Sequence, residues 1–170
     1  MCVREASPTD PTKTQVVLVD TSRPSTPLRR PISADSALMN PSTKVIALKN
    51  GTTLQLFDFA SKSKLKSHAM PDPVVFWKWL DSTTVGIVTA SAVFHWDTTN
   101  STSPPEMMFD RHASLSAAQI INYRSSPDGQ WLVLVGIAAA EGGKVAGRLQ
   151  LYSVAKKLSQ PIEGHAAAFA

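Results

Sequence analysis

The chain is poor in the residues and runs that would tie it to a metal, a disulfide framework or a membrane. Cys2 is the one cysteine in 170 residues, so no disulfide forms within the chain. The four histidines are scattered, which leaves no Cys/His spacing of a structural zinc site. A reducing, cytoplasmic setting follows as the expectation. The longest apolar run, WLVLVGIAAA at 131–140, is about half of what a membrane-spanning helix needs and is interrupted by Gly136. At the start, Arg4 and Glu5 bring charge too early for an apolar signal segment, so secretion by a cleaved signal is not expected. Charge is sparse as well. Lys and Arg number 17 against 13 Asp and Glu, and a net charge of +4 is small for a nucleic-acid binder of this length.

What the chain has is apolar material, 43% of its residues, enough to bury a core within one domain spanning 1–170. Twelve prolines and eight glycines cut it into short pieces and argue against long helices. Between the cuts lie runs rich in β-branched and aromatic residues: QVVLVD (15–20), KVIALK (44–49), TLQLFDF (53–59), VVFWKWL (74–80), TVGIVTA (84–90), AVFHW (92–96), QIINYR (119–124), WLVLVGI (131–137) and RLQLYSV (148–154). These read as strands. NG at 50–51, DG at 128–129, GG at 142–143 and PP at 104–105 mark turns, and NG predicts a hairpin between VIALK and TTLQLF.

Four segments share one outline: VVLV (16–19), LQLF (54–57), VFHW (93–96) and LQLY (149–152), spaced 38, 39 and 56 residues apart. Each is followed by a polar linker and another strand-like piece: PLRRPISA (27–34), SKSKLKSH (61–68), EMMFDRH (106–112) and KLSQPIEGH (157–165). Three of these pieces end in histidine, His68, His112 and His165, which reads as a repeat feature. The long third interval is ascribed to a longer lead-in and a glycine-rich tip at 138–147. The shorter intervals lie near the roughly 40–45 residues of a four-stranded propeller blade. The fold class expected is therefore all-β, with propeller blades whose sheets are apolar on both faces. About two and a half to three and a half blades are counted, against about four for the smallest closed ring, so the chain reads as part of a ring cut inside a blade at both ends. An open stack of that kind would leave two apolar sheet faces bare, and the isolated chain is expected to associate or bind apolar dyes.

Over RRPISADSALMNPSTKVIALKNGTTLQLFDF (29–59), FWKW (76–79), MFDRH (108–112), QIINYR (119–124), LQLYSV (149–154) and SQPIEGHAAAFA (159–170), the sequence closely resembles the clathrin heavy-chain family. The resemblance implies the N-terminal, seven-bladed, WD40-like propeller of that family, a docking module of vesicle coats and not an enzyme, without catalytic residues, cofactor or metal. It implies a groove between the first two blades that takes extended peptides of the pattern Leu-apolar-x-apolar-acidic from adaptor and accessory proteins. The family's groove residues fall on Leu28, Arg30, Ile46, Thr53, Gln55, Phe57, Lys62 and Lys64. A second family site, for tryptophan-containing motifs, falls in part on Gln119, Ile121 and Ile137. In the full-length protein the implied partners include other heavy chains and light chains. Membrane contact is implied only through adaptors, at the cytoplasmic face of coated pits and vesicles. The other reading is a truncated heavy-chain remnant whose incomplete ring folds poorly and binds nothing.

The residues themselves fit a groove. Thr53, Gln55 and Phe57 alternate along one strand and share a face, whereas Leu54 and Leu56 point to the other. Phe57 and Ile46 would receive apolar side chains, and Gln55 would satisfy peptide backbone. Lys62, Lys64 and Lys66 also alternate and read as one basic stripe, with Ser63 and Leu65 facing away. A plainer account makes those lysines a solvated strand edge, which the resemblance outweighs for Lys62 and Lys64 and not for Lys66. His95, between Phe94 and Trp96, lies inside a strand. Asp110, His112 and Ser114 or Ser116 lack the strand-turn-helix elbow of a hydrolase. Trp77, Trp79, Trp96 and Trp131 read as packing between blades rather than as base-stacking platforms.

Overall fold

A computed structural model describes residues 2–7, 10–19, 24–32 and 34–170. It is all-β apart from two 3-10 turns, and falls into two units, residues 1–71 with 100–102 and residues 72–99 with 103–170. Among the described residues no helix is long and apolar enough to cross a membrane.

The first unit carries two antiparallel meanders. One runs β1 (Cys2–Ser7), β2 (Asp10–Leu18), β3 (Leu28–Ile32). The other runs β4 (Ser36–Met39), β5 (Val45–Asn50), β6 (Thr53–Asp58), β7 (Ser63–Ala69). β1 lies against β4, which makes the two sheets neighbours. The hairpin signal at Asn50-Gly51 is realised: Asn50 pairs with Thr53, Gly51 turns the chain at φ 58, and its N–H donates to Asp35 Oδ2 at 2.7 Å.

The second unit has two further four-stranded meanders. The first is β8 (Val74–Trp79), β9 (Thr84–Thr89), β10 (Ala92–Asp97), β11 (Glu106–Asp110). The second is β12 (Gln119–Ser125), β13 (Trp131–Ala139), β14 (Val145–Ser153), β15 (Leu158–Glu163). LQLF, VFHW and LQLY thus fall on the third strand of each four-stranded sheet, and VVLV begins on β2. The long last interval comes from nine-residue β13 and β14 joined through Gly142 (φ 69) and Gly143 (φ 72), and from a 3-10 turn at Ala113–Leu115 before β12. β1 and β4 are additions to the strands read from sequence. β4 has only four residues, half-buried throughout, too few to show an alternation.

β13 is apolar on both sides. Leu132 and Leu134 join Val88, Val93, Phe109, Tyr123 and Tyr152 in a core drawn from both sheets of the unit, while Val133 and Val135 pack with Leu149 on the opposite face. Each such burial contributes on the order of 1.5–3 kcal/mol before conformational entropy. Gly86 makes room for the Tyr123 ring, since a Cβ there would stand 2.7 Å from Tyr123 Cδ1. Of the tryptophans, Trp77 and Trp96 are buried, but Trp131 is 40% exposed at the head of β13 and does not pack as expected.

The histidines are not a set. His68 lies within β7 opposite Leu54, whereas His112 and His165 lie two residues beyond the ends of β11 and β15. His112 caps the 3-10 turn, its Nδ1 accepting the Ser114 N–H at 3.1 Å, and His165 Nε2 contacts the Val145 carbonyl at 3.0 Å. No group of three His, Cys, Asp or Glu able to hold a metal occurs among the described residues.

Candidate functional site

The middle of the β4–β7 sheet assembles most of the expected groove residues. Leu54 and Leu56 are fully buried, and Thr53, Gln55 and Phe57 are half-buried on the other face. Phe57 lies directly opposite Ile46 on β5 and, across β7, opposite Lys64. Its ring meets Phe59 edge-on, centroids 5.5 Å apart. Ile46, paired with Phe57 and so on the same face, is only 1% exposed and does not present a surface of its own. Leu28 and Arg30 are placed on β3 opposite Leu18 and Val16, but their side chains lie outside the described residues.

The basic stripe is broken by a β-bulge. Between Leu56 and Phe57 the register with β7 shifts, so that Leu56 faces Lys66 and Phe57 faces Lys64. Lys64 and Lys66 therefore point to opposite sides. Lys66 is 7% exposed and its ammonium donates to the Asn100 carbonyl at 2.7 Å, so it is neither part of a stripe nor a solvated edge. Leu65, the extra residue, is exposed. Lys62 sits in the β6–β7 turn at φ 55, a left-handed conformation that costs an L-residue about 1–2 kcal/mol. Asp58 shapes that turn, accepting the Ala60 N–H at 2.8 Å and the Ser61 hydroxyl at 2.9 Å, and these bonds hold its carboxyl below the usual carboxylate range.

The β12–β15 sheet supplies a counterpart at four of these positions. Gln150, Tyr152, Lys157 and Ser159 stand where Gln55, Phe57, Lys62 and Lys64 stand, and Lys157 repeats the left-handed turn at φ 51. There the glutamine is consumed. Gln150 is fully buried, accepts the His112 N–H at 2.8 Å and donates to the Asp110 carbonyl and the Ser159 hydroxyl, both at 2.8 Å. Gln55 has no such partner among the described residues.

Of the second expected site, Gln119 and Ile137 are brought together. They pair across β12 and β13 and line a cavity of about 380 Å³ with Ala139, Lys144 and Val145. Ile121 is the bulged residue between Ile120 and Asn122, is exposed, and does not line it.

Sequence reading missed the pair His95 and Tyr123, whose Nε2 and hydroxyl lie 2.7 Å apart in the second unit. Burial pushes His95 down to about 4, with the nearby Asp81 carboxylate opposing, and burial raises Tyr123. Both are neutral at pH 7. Only the alternation Phe94-His95-Trp96 marked the site, and it does not reveal a partner 28 residues away.

A clathrin propeller repeat model matches residues 115–155. The whole chain is 53% identical to human clathrin heavy chain 2 over 170 residues, 10% of that protein's length. Over 92% of the chain, 156 residues, it is 56% identical to 9% of the Drosophila melanogaster clathrin heavy chain. The chain belongs to the clathrin heavy-chain family. Over 170 residues it is also 49% identical to 10% of the Dictyostelium discoideum clathrin heavy chain, so it spans about a tenth of the length of these relatives. Among solved structures it resembles the β-propeller domain of the trilobed protease from Pyrococcus furiosus (TM-score 0.56, 13% identity, 95% of this chain and 52% of that one). It also resembles the β-propeller domain of Myceliophteria thermophila Cps50 (Swd1) (TM-score 0.55, 12% identity, 88% and 53%). At such identities the likeness is one of fold, and that fold is the propeller, in keeping with the four meanders of this family member.

Proposed function

We propose that the chain is a non-enzymatic docking module of a clathrin-type vesicle coat, whose β5–β7 face binds extended Leu-apolar-x-apolar-acidic segments of adaptor and accessory proteins. The observation that carries the reading is the mixed face of β6. Phe57 is half-buried beside a fully buried Ile46, Gln55 offers an amide with no partner among the described residues, and Lys64 is exposed directly across from Phe57. An apolar anchor on Phe57, a backbone contact at Gln55 and a carboxylate near Lys64 match that order. Arg30, Leu28, Thr53 and Lys62 complete the groove by family resemblance. In this reading the chain acts in the cytoplasm, on coated pits and vesicles, and meets membranes through adaptors; assembly with other heavy chains and light chains belongs to the full-length protein.

Burying an apolar anchor on Phe57 contributes about 1.5–3 kcal/mol, more than the roughly 0.2–1 kcal/mol of a solvated ion pair, so Phe57 dominates affinity and Lys64 selectivity. The test is fluorescence anisotropy of a labelled Leu-apolar-x-apolar-acidic peptide. Saturable binding lost in Phe57→Ala supports the groove. Absence of binding to the unmodified chain, or full binding by Phe57→Ala, rejects it.

A further inference from the structure

A second cluster, in the other unit, concerns charge. β8 and β12 lie side by side and hold between them a cavity of about 190 Å³, lined by Lys78, Leu80, Tyr123, Arg124, Ser125, Pro127 and Phe169. Two lining groups are cations and none is a carboxylate. Neither Lys78 nor Arg124 has an ion-pair partner among the described residues. Lys78 is half-buried, and its ammonium has one long contact, 3.4 Å to Asn122 Oδ1, an oxygen already accepting the Tyr123 N–H at 2.9 Å. Burial, and then the Arg124 guanidinium, hold the Lys78 ammonium below its ordinary value. Two like charges thus line one cavity, with most of the lysine's donors unused.

We propose that this cavity is an anion site that takes a phosphate group between Lys78 Nζ and the Arg124 guanidinium. Arginine offers a planar fork and lysine a compact point charge, a pairing that suits a tetrahedral oxyanion. Two cations balance a phosphate dianion, and the volume corresponds to about six water molecules at roughly 30 Å³ each, room for one phosphate and a few waters. The site shares no residue with the β5–β7 face and stands or falls separately from it.

The test is an NMR titration of the Lys78 side chain in the 170-residue chain with inorganic phosphate, sodium acetate or sodium chloride at one ionic strength. Saturating phosphate is expected to raise the Lys78 pKa, with acetate weaker and chloride without a saturable effect. Arg124→Gln, at an exposed position, is expected to raise the Lys78 pKa without phosphate, by removing the repulsion, and to weaken phosphate binding about ten- to a hundred-fold. Glycerol phosphate binding as well as inorganic phosphate assigns an esterified group; weaker binding assigns the free ion. Phosphate acting no differently from chloride, acetate binding more tightly than phosphate, or full phosphate affinity in Arg124→Gln overturns the proposal.

Discussion

Gln55 and Gln150 occupy the same position on the third strands of two sheets, yet Gln150 is bonded to three groups at 2.8 Å while Gln55 has no partner among the described residues. One amide staples its sheet to the end of β11; the other is available. Gln150→Ala strands the His112 N–H, the Asp110 carbonyl and the Ser159 hydroxyl, and is expected to cost about 1–3 kcal/mol in urea unfolding. Gln55→Ala is expected to stay within about 0.5 kcal/mol while weakening peptide binding.

The bulge in β7 separates two lysines that sequence places alike. Lys66→Ala removes a buried side chain and its bond to the Asn100 carbonyl, and is expected to destabilise by about 1–3 kcal/mol. Lys64→Ala, at an exposed position, is expected to leave stability within about 0.5 kcal/mol. Equal effects in thermal melts would place the bulge elsewhere.

His95 makes the second unit acid-sensitive. Its folded pKa is pushed down to about 4 from 6.5, so below pH 6.5 the unfolded chain takes up a proton that the folded chain refuses. Stability is therefore full above pH 6.5 and falls until about pH 4, by about 3 kcal/mol in order of magnitude. Asp58 and Asp128, both depressed by hydrogen bonds, lose their contributions only as pH falls further, from 3.8 downward. His95→Gln is expected to flatten the upper window in denaturant titrations at stepped pH and to leave the lower one.

Gly86→Ala drives a methyl group into the Tyr123 ring. A loss of about 1–3 kcal/mol is expected, with a change in tyrosine fluorescence, and Tyr123→Leu in the same chain is expected to recover part of it.

Much of the fold is legible in the sequence because its signals are local. Alternation marks β6 and β14, a β-branched apolar run marks β5, and Asn50-Gly51, Asp128-Gly129 and Gly142-Gly143 carry backbone reasons to turn, realised at φ 58, 70, 69 and 72. The shared outline of LQLF and LQLY gives the third strands. The rest depends on register and on distant partners. One inserted residue in β7 sends Lys66 inward, although Lys62, Lys64 and Lys66 alternate on paper. Gln55 and Gln150 share the run Leu-Gln-Leu, which does not reveal that only Gln150 meets the end of β11 and the Ser159 hydroxyl. Ile46 looks like a ligand contact from its place opposite Phe57, and only its 1% exposure shows that a ligand does not reach it.

The most direct measurement is a calorimetric double-mutant cycle with a Leu-apolar-x-apolar-acidic peptide, using Lys64→Glu on the chain and replacement of the peptide's acidic residue by alanine. The groove account predicts that Lys64→Glu weakens the acidic peptide moderately and the neutral one much less, leaving a coupling of roughly 0.2–1 kcal/mol that shrinks with salt. Equal weakening of both peptides would contradict it, leaving Lys64 as a solvated strand edge and the β6 face without a charge partner for an acidic ligand.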